Sequence, residues 1–123
     1  MRGIKINPTD RTIEEVDVPN PHKSLQGLYD LIGCDLVQLV ELDRGIIMVC
    51  DEEAKCKPIT GAFTFYGTDL VIAGNAVVLG GDANRFGALH ENKENLEKII
   101  EWVEPADVPE PKFTFISLTN DMS

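Results

Sequence analysis

Residues 35–53, DLVQLVELDRGIIMVCDEE, restrict the fold more than any other stretch of this chain. Two short runs rich in Leu, Val and Ile lie on either side of Asp43-Arg44-Gly45, whose residue types supply turn chemistry. The pattern predicts a hairpin. Both runs carry apolar residues at consecutive positions, which predicts central strands covered on more than one side. The acidic DEEAK segment then ends the second strand as a turn.

The flanking segments divide into further strands and two helices. MRGIKIN alternates Ile4 and Ile6 with polar neighbours up to the turn signal NPTD, and RTIEEVDV follows it, an opening hairpin. NPHKSLQGLYDLIG reads as a helix with Asn20 as cap, Pro21 at the first helical position and Gly33 at the left-handed C-terminal position. Leu25, Leu28, Tyr29 and Ile32 form its apolar stripe. Gly27 lies mid-helix at a cost of about 1 kcal/mol against Ala, which implies a close packing contact or a weaker helix.

Further on, ITGAFTFYGTD fits either a short strand or one helical turn. LVIAGNAVVLG is a strand interrupted by Gly74, where a bulge or a close backbone approach is expected. ENKENLEKIIEWV is the second helix, with Leu96, Ile99, Ile100 and Val103 on one face and Pro105 as its stop. EPADVPEPK should be an extended linker, and KFTFISL a strand that returns to a sheet edge. The expected fold class is α+β: a small single domain with a mixed or antiparallel sheet and two helices packed on it. Its core spans residues 1–104, and residues 105–123 form a Pro-rich linker and strand-like tail.

Bulk properties exclude several functions. A length of 123 residues suits one domain. Eleven Lys and Arg against 21 Asp and Glu give a formal charge of −10, so phosphate backbones and anionic membrane surfaces would repel the chain. No apolar run approaches the roughly 20 residues of a membrane span. The N-terminal residues lack the apolar core of a secretion signal, so a cytoplasmic location is expected. Cys34, Cys50 and Cys56, odd in number, fit reduced thiols. The acidic charge is compatible with a basic protein partner and also with plain solubility.

The candidate chemistry is sparse. Gly74, Gly80, Gly81 and Gly87 match neither the Walker spacing nor the dinucleotide fingerprint. Gly80, Gly81, Asn84 and Arg85 are the candidate ligand-binding residues: amides near Gly80, with Asn84 and Arg85, would hold an anion. HENKE, residues 90–94, lacks the second His of the zinc signature, and Glu91 and Glu94 also suit the start of a helix by complementing its dipole. Cys50 and Cys56 are not spaced as a metal or redox pair, and no metal or cofactor is expected. Asp51, Glu52 and Glu53 form an acidic turn. FTFYG places Phe63, Phe65 and Tyr66 where they could lie outside the core and meet a protein partner or a second copy. These six are the candidate partner-binding residues.

CDLVQLVELDRGIIMVCDEEAKCKPITGAF followed by DLVIAGNAVVLGG resembles the phage-associated domain of unknown function 3846 family. Asp51 and Glu52 match its acidic turn, Pro58 its Pro, and Ile72, Gly74 and Ala76 its later strand. The family pattern places Asn shortly after that Pro, where Thr60 and Gly61 stand here. The resemblance covers roughly residues 1–103 and implies an intracellular protein of phage or bacterial accessory genes with no established activity. The expectation is therefore a non-enzymatic accessory protein that binds a partner protein and inhibits a host or defence component. The alternative is a binder of a small anionic or nucleotide-like ligand.

Overall fold

A computed structural model describes residues 1–82 and 84–109, and within them the apolar runs sort into two antiparallel sheets. In chain order the elements are β1 (Arg2–Asn7), β2 (Thr12–Asp17), α1 (Gln26–Ile32), β3 (Val37–Asp43), β4 (Ile46–Asp51), β5 (Ala62–Phe65), β6 (Val71–Ala73), β7 (Ala76–Asp82), β8 (Arg85–Gly87), α2 (Lys93–Ile99) and β9 (Ile100–Val103). The large sheet runs β2-β1-β7-β4-β3, with β8 on the end of β7, and the small one runs β6-β5-β9. The chain is thus α+β, a small single domain with antiparallel sheets and two helices.

Two-residue periodicity decides the layers. From β4 and β7, Met48, Cys50, Ala76 and Val78 point to one face and join Ile4 and Ile6 against Phe63, Phe65 and Ile72 of the small sheet and Leu96 of α2. Ile47, Val49, Val77 and Leu79 point to the other face and pack on Leu28 and Ile32 of α1. Strands buried on both sides read as continuous apolar runs, and β4 and β7 do. Burying each such Val or Ile contributes about 1.5–3 kcal/mol.

Several expectations change in this frame. The two runs of the central hairpin are not equivalent: β4 is interior, whereas β3 is an outer strand with only half-buried and exposed residues. The first helix begins at Gln26, not Pro21. Asn20 Oδ1 accepts the His22 amide at 2.9 Å and the Asn20 carbonyl accepts the amides of Lys23 and Ser24, so Asn20 closes a separate turn. Gly33 takes the left-handed position at φ 82°. At Gly27 a Cβ would lie 2.6 Å from Cγ of Pro19, which identifies the close contact this glycine permits.

ITGAFTFYGTD contains a strand, β5. Gly74 is not a bulge within one strand: at φ 80° it is the corner where the chain leaves β6 in the small sheet for β7 in the large one. The second helix stops at Ile99, ahead of Pro105, and residues 100–103 become β9, paired with β5 from Ala62↔Val103 to Phe65↔Ile100. An available sheet edge outweighs the local helical pattern there. Residues 105–107 form a 3₁₀ turn and Val108 is buried, so the expected extended linker does not begin at 105. The strand-like tail lies outside the described residues.

Candidate functional site

β3 and β6 are outer strands of their sheets, and a groove runs between them and on past the β5–β6 loop to α2. It has two compartments that share Val40 and Leu70. The wider, about 360 Å³, has an apolar floor of Val40, Leu42, Ile46, Phe65 and Leu96, with Ile99 and Tyr66 at its margin. Tyr66 is 74% exposed and Ile99 41%. The narrower, about 250 Å³, continues past Cys50 and Ile72 towards Asp51, Glu52 and Lys55.

Local chemistry fixes the walls. The Tyr66 amide donates to the Ile99 carbonyl at 2.7 Å, tying the end of β5 to the end of α2. Thr64 Oγ1 donates to the Leu70 carbonyl at 2.5 Å, and Thr68 Oγ1 to the Phe65 carbonyl at 2.9 Å, which closes the loop between β5 and β6. Arg2 Nη1 donates at 2.8 Å to both the Leu89 and the Glu91 carbonyls and anchors the approach to α2.

The margin of the wider compartment is acidic. Asp43 and Glu91 line it, the Glu41 side chain being turned to the other face of β3 by its register opposite Ile47, and among the described residues no Lys or Arg does. Glu91 Oε2 accepts Asn95 Nδ2 at 2.7 Å and the Asn92 amide at 3.0 Å. Those two bonds, the Asn95 one foremost, hold its carboxyl below the usual carboxylate range.

A second, polar depression of about 160 Å³ gathers Asp51, Lys57, Pro58, Thr60, Gly74 and Asn75. Here the acidic turn, the Pro and the Gly of the later strand, distant in sequence, become neighbours. The Asp51 carboxylate, 10% exposed, accepts Lys57 Nζ at 2.8 Å and the Glu53 amide at 2.9 Å, so its charge is already matched. That bond to Asp51 raises the Lys57 ammonium above its ordinary range, which keeps it from acting as a base at neutral pH. Burial first, then Asp51, pushes up the Cys34 thiol, and the same causes push Cys50 to about 11. Both thiols stay protonated at neutral pH and make poor nucleophiles.

The glycine-rich segment plays another part. The Gly81 amide donates to the Gly45 carbonyl at 3.0 Å, and the amides of Asn84 and Arg85 donate to Asp82 Oδ1 at 2.9 and 3.0 Å. The Asp82 carboxylate thus occupies the place an anionic ligand would take. A Cβ at Gly80 would meet the Ala88 carbonyl oxygen at 2.4 Å, so this glycine permits two backbones to approach. Gly80 and Gly81 lie in β7, Arg85 in β8 and Asn84 in the turn between them, and of the four only Gly80 and Gly81 line an open depression, of about 530 Å³, beside Arg44 and His90.

Of the acidic and aromatic candidates, Phe65 and Tyr66 line the wide compartment, and Asp51 and Glu52 the narrow one. Glu53 is exposed beside them. Phe63 is fully buried and Phe65 nearly so, edge to face at 5.7 Å, so neither is the free aromatic surface that FTFYG suggested. Val40, Leu42 and Leu70 carry no site signal in the sequence, and Ile99 reads only as part of the apolar face of the second helix. For Leu42 the sequence offers only the acid-apolar alternation of ELD beside a turn, which many edge strands share.

His22 lies against Phe86, its Nε2 3.1 Å from the Phe86 carbonyl, and His90 is exposed ahead of α2. Among the described residues no three His, Cys, Asp or Glu side chains are grouped to hold a metal ion. No described helix is long and apolar enough to cross a membrane.

Fold and groove together define a small two-sheet α+β domain with an apolar, acid-rimmed channel between two sheet edges. The chain belongs to the family described as Domain of unknown function (DUF3846), whose pattern matches residues 1–104. No curated protein and no solved structure matches it.

Proposed function

We propose that this protein catalyses no reaction and works by binding a partner protein along the groove between β3 and β6, the partner contributing a basic and apolar segment. One observation carries the reading: an apolar channel whose wider half is rimmed by Asp43 and Glu91 and by no cation among the described residues. A formal charge of −10 extends the same preference to long range, where it would speed encounter with a basic surface and weaken as salt rises. Matched charge at Asp51 and protonated thiols at Cys34 and Cys50 support a binding role over a catalytic one. Such a role suits a cytoplasmic accessory protein of phage or bacteria that blocks a host or defence component. The anion-binding alternative is weaker at Asn84 and Arg85, whose amides Asp82 already engages.

Selection from a random-peptide display library tests the reading. Enriched peptides should combine apolar and basic residues, and Val40→Glu should lose them. Enrichment of acidic peptides, or of none, would contradict it.

A further inference from the structure

Resting on that reading, the backbone of β3 indicates how the partner is held. The Leu36 carbonyl accepts the Glu52 amide at 3.1 Å, and Cys50 Sγ donates to the Gln38 carbonyl at 3.8 Å. With the register Val37↔Asp51, Gln38↔Cys50 and Val40↔Met48, the backbone groups of Leu36, Gln38 and Val40 point towards β4. In an antiparallel ladder successive residues point opposite ways. The N–H and C=O groups of Val37, Leu39 and Glu41 therefore point away from the sheet, and among the described residues no strand pairs with them.

We propose that the partner segment adds to β3 as a further β-strand, hydrogen-bonded to Val37, Leu39 and Glu41, with alternate side chains entering the groove. Gln38 and Val40 line the groove side. Leu39 and Glu41 stand on the opposite face, opposite Val49 and Ile47 in the register. Leu36 and Leu39 are exposed at 47% and 37%, so apolar contact is on offer on both sides of the added strand. The register shift between Glu41 and Asp43 ends the regular edge and limits the docked segment to a short one.

Charge selects the occupant. A second copy would bring its own Glu41 and Asp43 to the same edge, on a chain of charge −10. Residues 110–123 of this chain hold one cation, Lys112, against Glu110 and Asp121. A foreign strand alternating apolar and basic residues complements both the apolar floor and the acids.

Amide hydrogen exchange on the full chain tests this, using an acetylated peptide of alternating Val and Lys and its Val-Glu counterpart. In the free protein Val37, Leu39 and Glu41 should exchange fast while Gln38 and Val40 exchange slowly. The Val-Lys peptide should slow the three outward amides at least about tenfold, and the Val-Glu peptide should leave them unchanged. Leu39→Pro removes an outward donor without touching the β4 ladder and should abolish the protection. N-methylation of the Val-Lys peptide should do the same with the protein unaltered. Outward amides already slow in the free protein would overturn the proposal, naming residues 110–123 as occupant if protection is independent of concentration and a second copy if it is not. Resonance shifts at Val40 and Leu70 without protection at Leu39 would overturn strand addition alone. No shift at either place would overturn the groove reading with it.

Discussion

Phe63 stands opposite Trp102 in the pairing of β5 with β9, and the small sheet that covers one face of the large one depends on that pairing. Phe63 is fully buried. Phe63→Ala should therefore cost about 3–5 kcal/mol, read as a lower urea midpoint. Tyr66→Ala, three residues on and exposed, should change stability by no more than about 0.5 kcal/mol and instead weaken peptide binding in the groove.

Two left-handed glycines should respond differently to a methyl group. At Gly33, φ 82°, a Cβ meets nothing within 4 Å, so Gly33→Ala should cost only the backbone strain of about 1–2 kcal/mol. At Gly81, φ 98°, a Cβ would lie 2.1 Å from the Arg85 carbonyl oxygen, so the β7–β8 hairpin must open as well. Gly81→Ala should be the more destabilising in chemical denaturation. Equal midpoints for the two variants would contradict the backbone geometry.

Glu91 provides a pH signature. Its folded pKa lies below the ordinary 4.5, because Asn95 and then the Asn92 amide donate to the charged form. Its contribution to stability is therefore complete above 4.5 and is lost as pH falls through the lower folded value. Glu91→Gln should lower the thermal midpoint at neutral pH, and the two melting curves should converge on acidification. A gap that stays constant with pH would assign the loss to something other than this carboxylate.

The thiols should differ sharply in reactivity. Cys34 and Cys50 are buried with raised pKa values, Cys50 at about 11, whereas Cys56 is exposed. Iodoacetamide at neutral pH should modify the native protein at Cys56 first, and Cys56→Ser should remove the fast phase measured by mass spectrometry. Rapid labelling of Cys34 would contradict its burial.

Local elements were legible wherever local chemistry decides them. The hairpins β1–β2 and β3–β4 follow from alternation and turn residues, and the end of α1 from Gly33. Where a distant partner decides, the sequence was silent. EKIIEWV carries a helical stripe, yet β5 draws residues 100–103 into a strand. Nothing in LVQLVEL says that β3 is outermost, because its Leu and Val residues read like those of a central strand although Val37 packs on the α1 side, Val40 and Leu42 on the groove side, and Leu36 and Leu39 are exposed. The Phe residues of FTFYG are core because β5, the middle strand of the small sheet, lays them against the large sheet. Asp51, Glu52, Phe65 and Tyr66 were singled out from sequence and do line the groove, whereas Val40, Leu42, Leu70 and Ile99 look like ordinary core residues until the two sheets are stacked.

The most direct measurement is a map of amide chemical-shift changes on the full chain as a display-selected peptide is titrated in. Binding in the groove predicts changes at Val40, Leu42, Leu70 and Ile99, with no effect at Asn84 and Arg85. Changes centred on residues 80–85, with the groove silent, would contradict it.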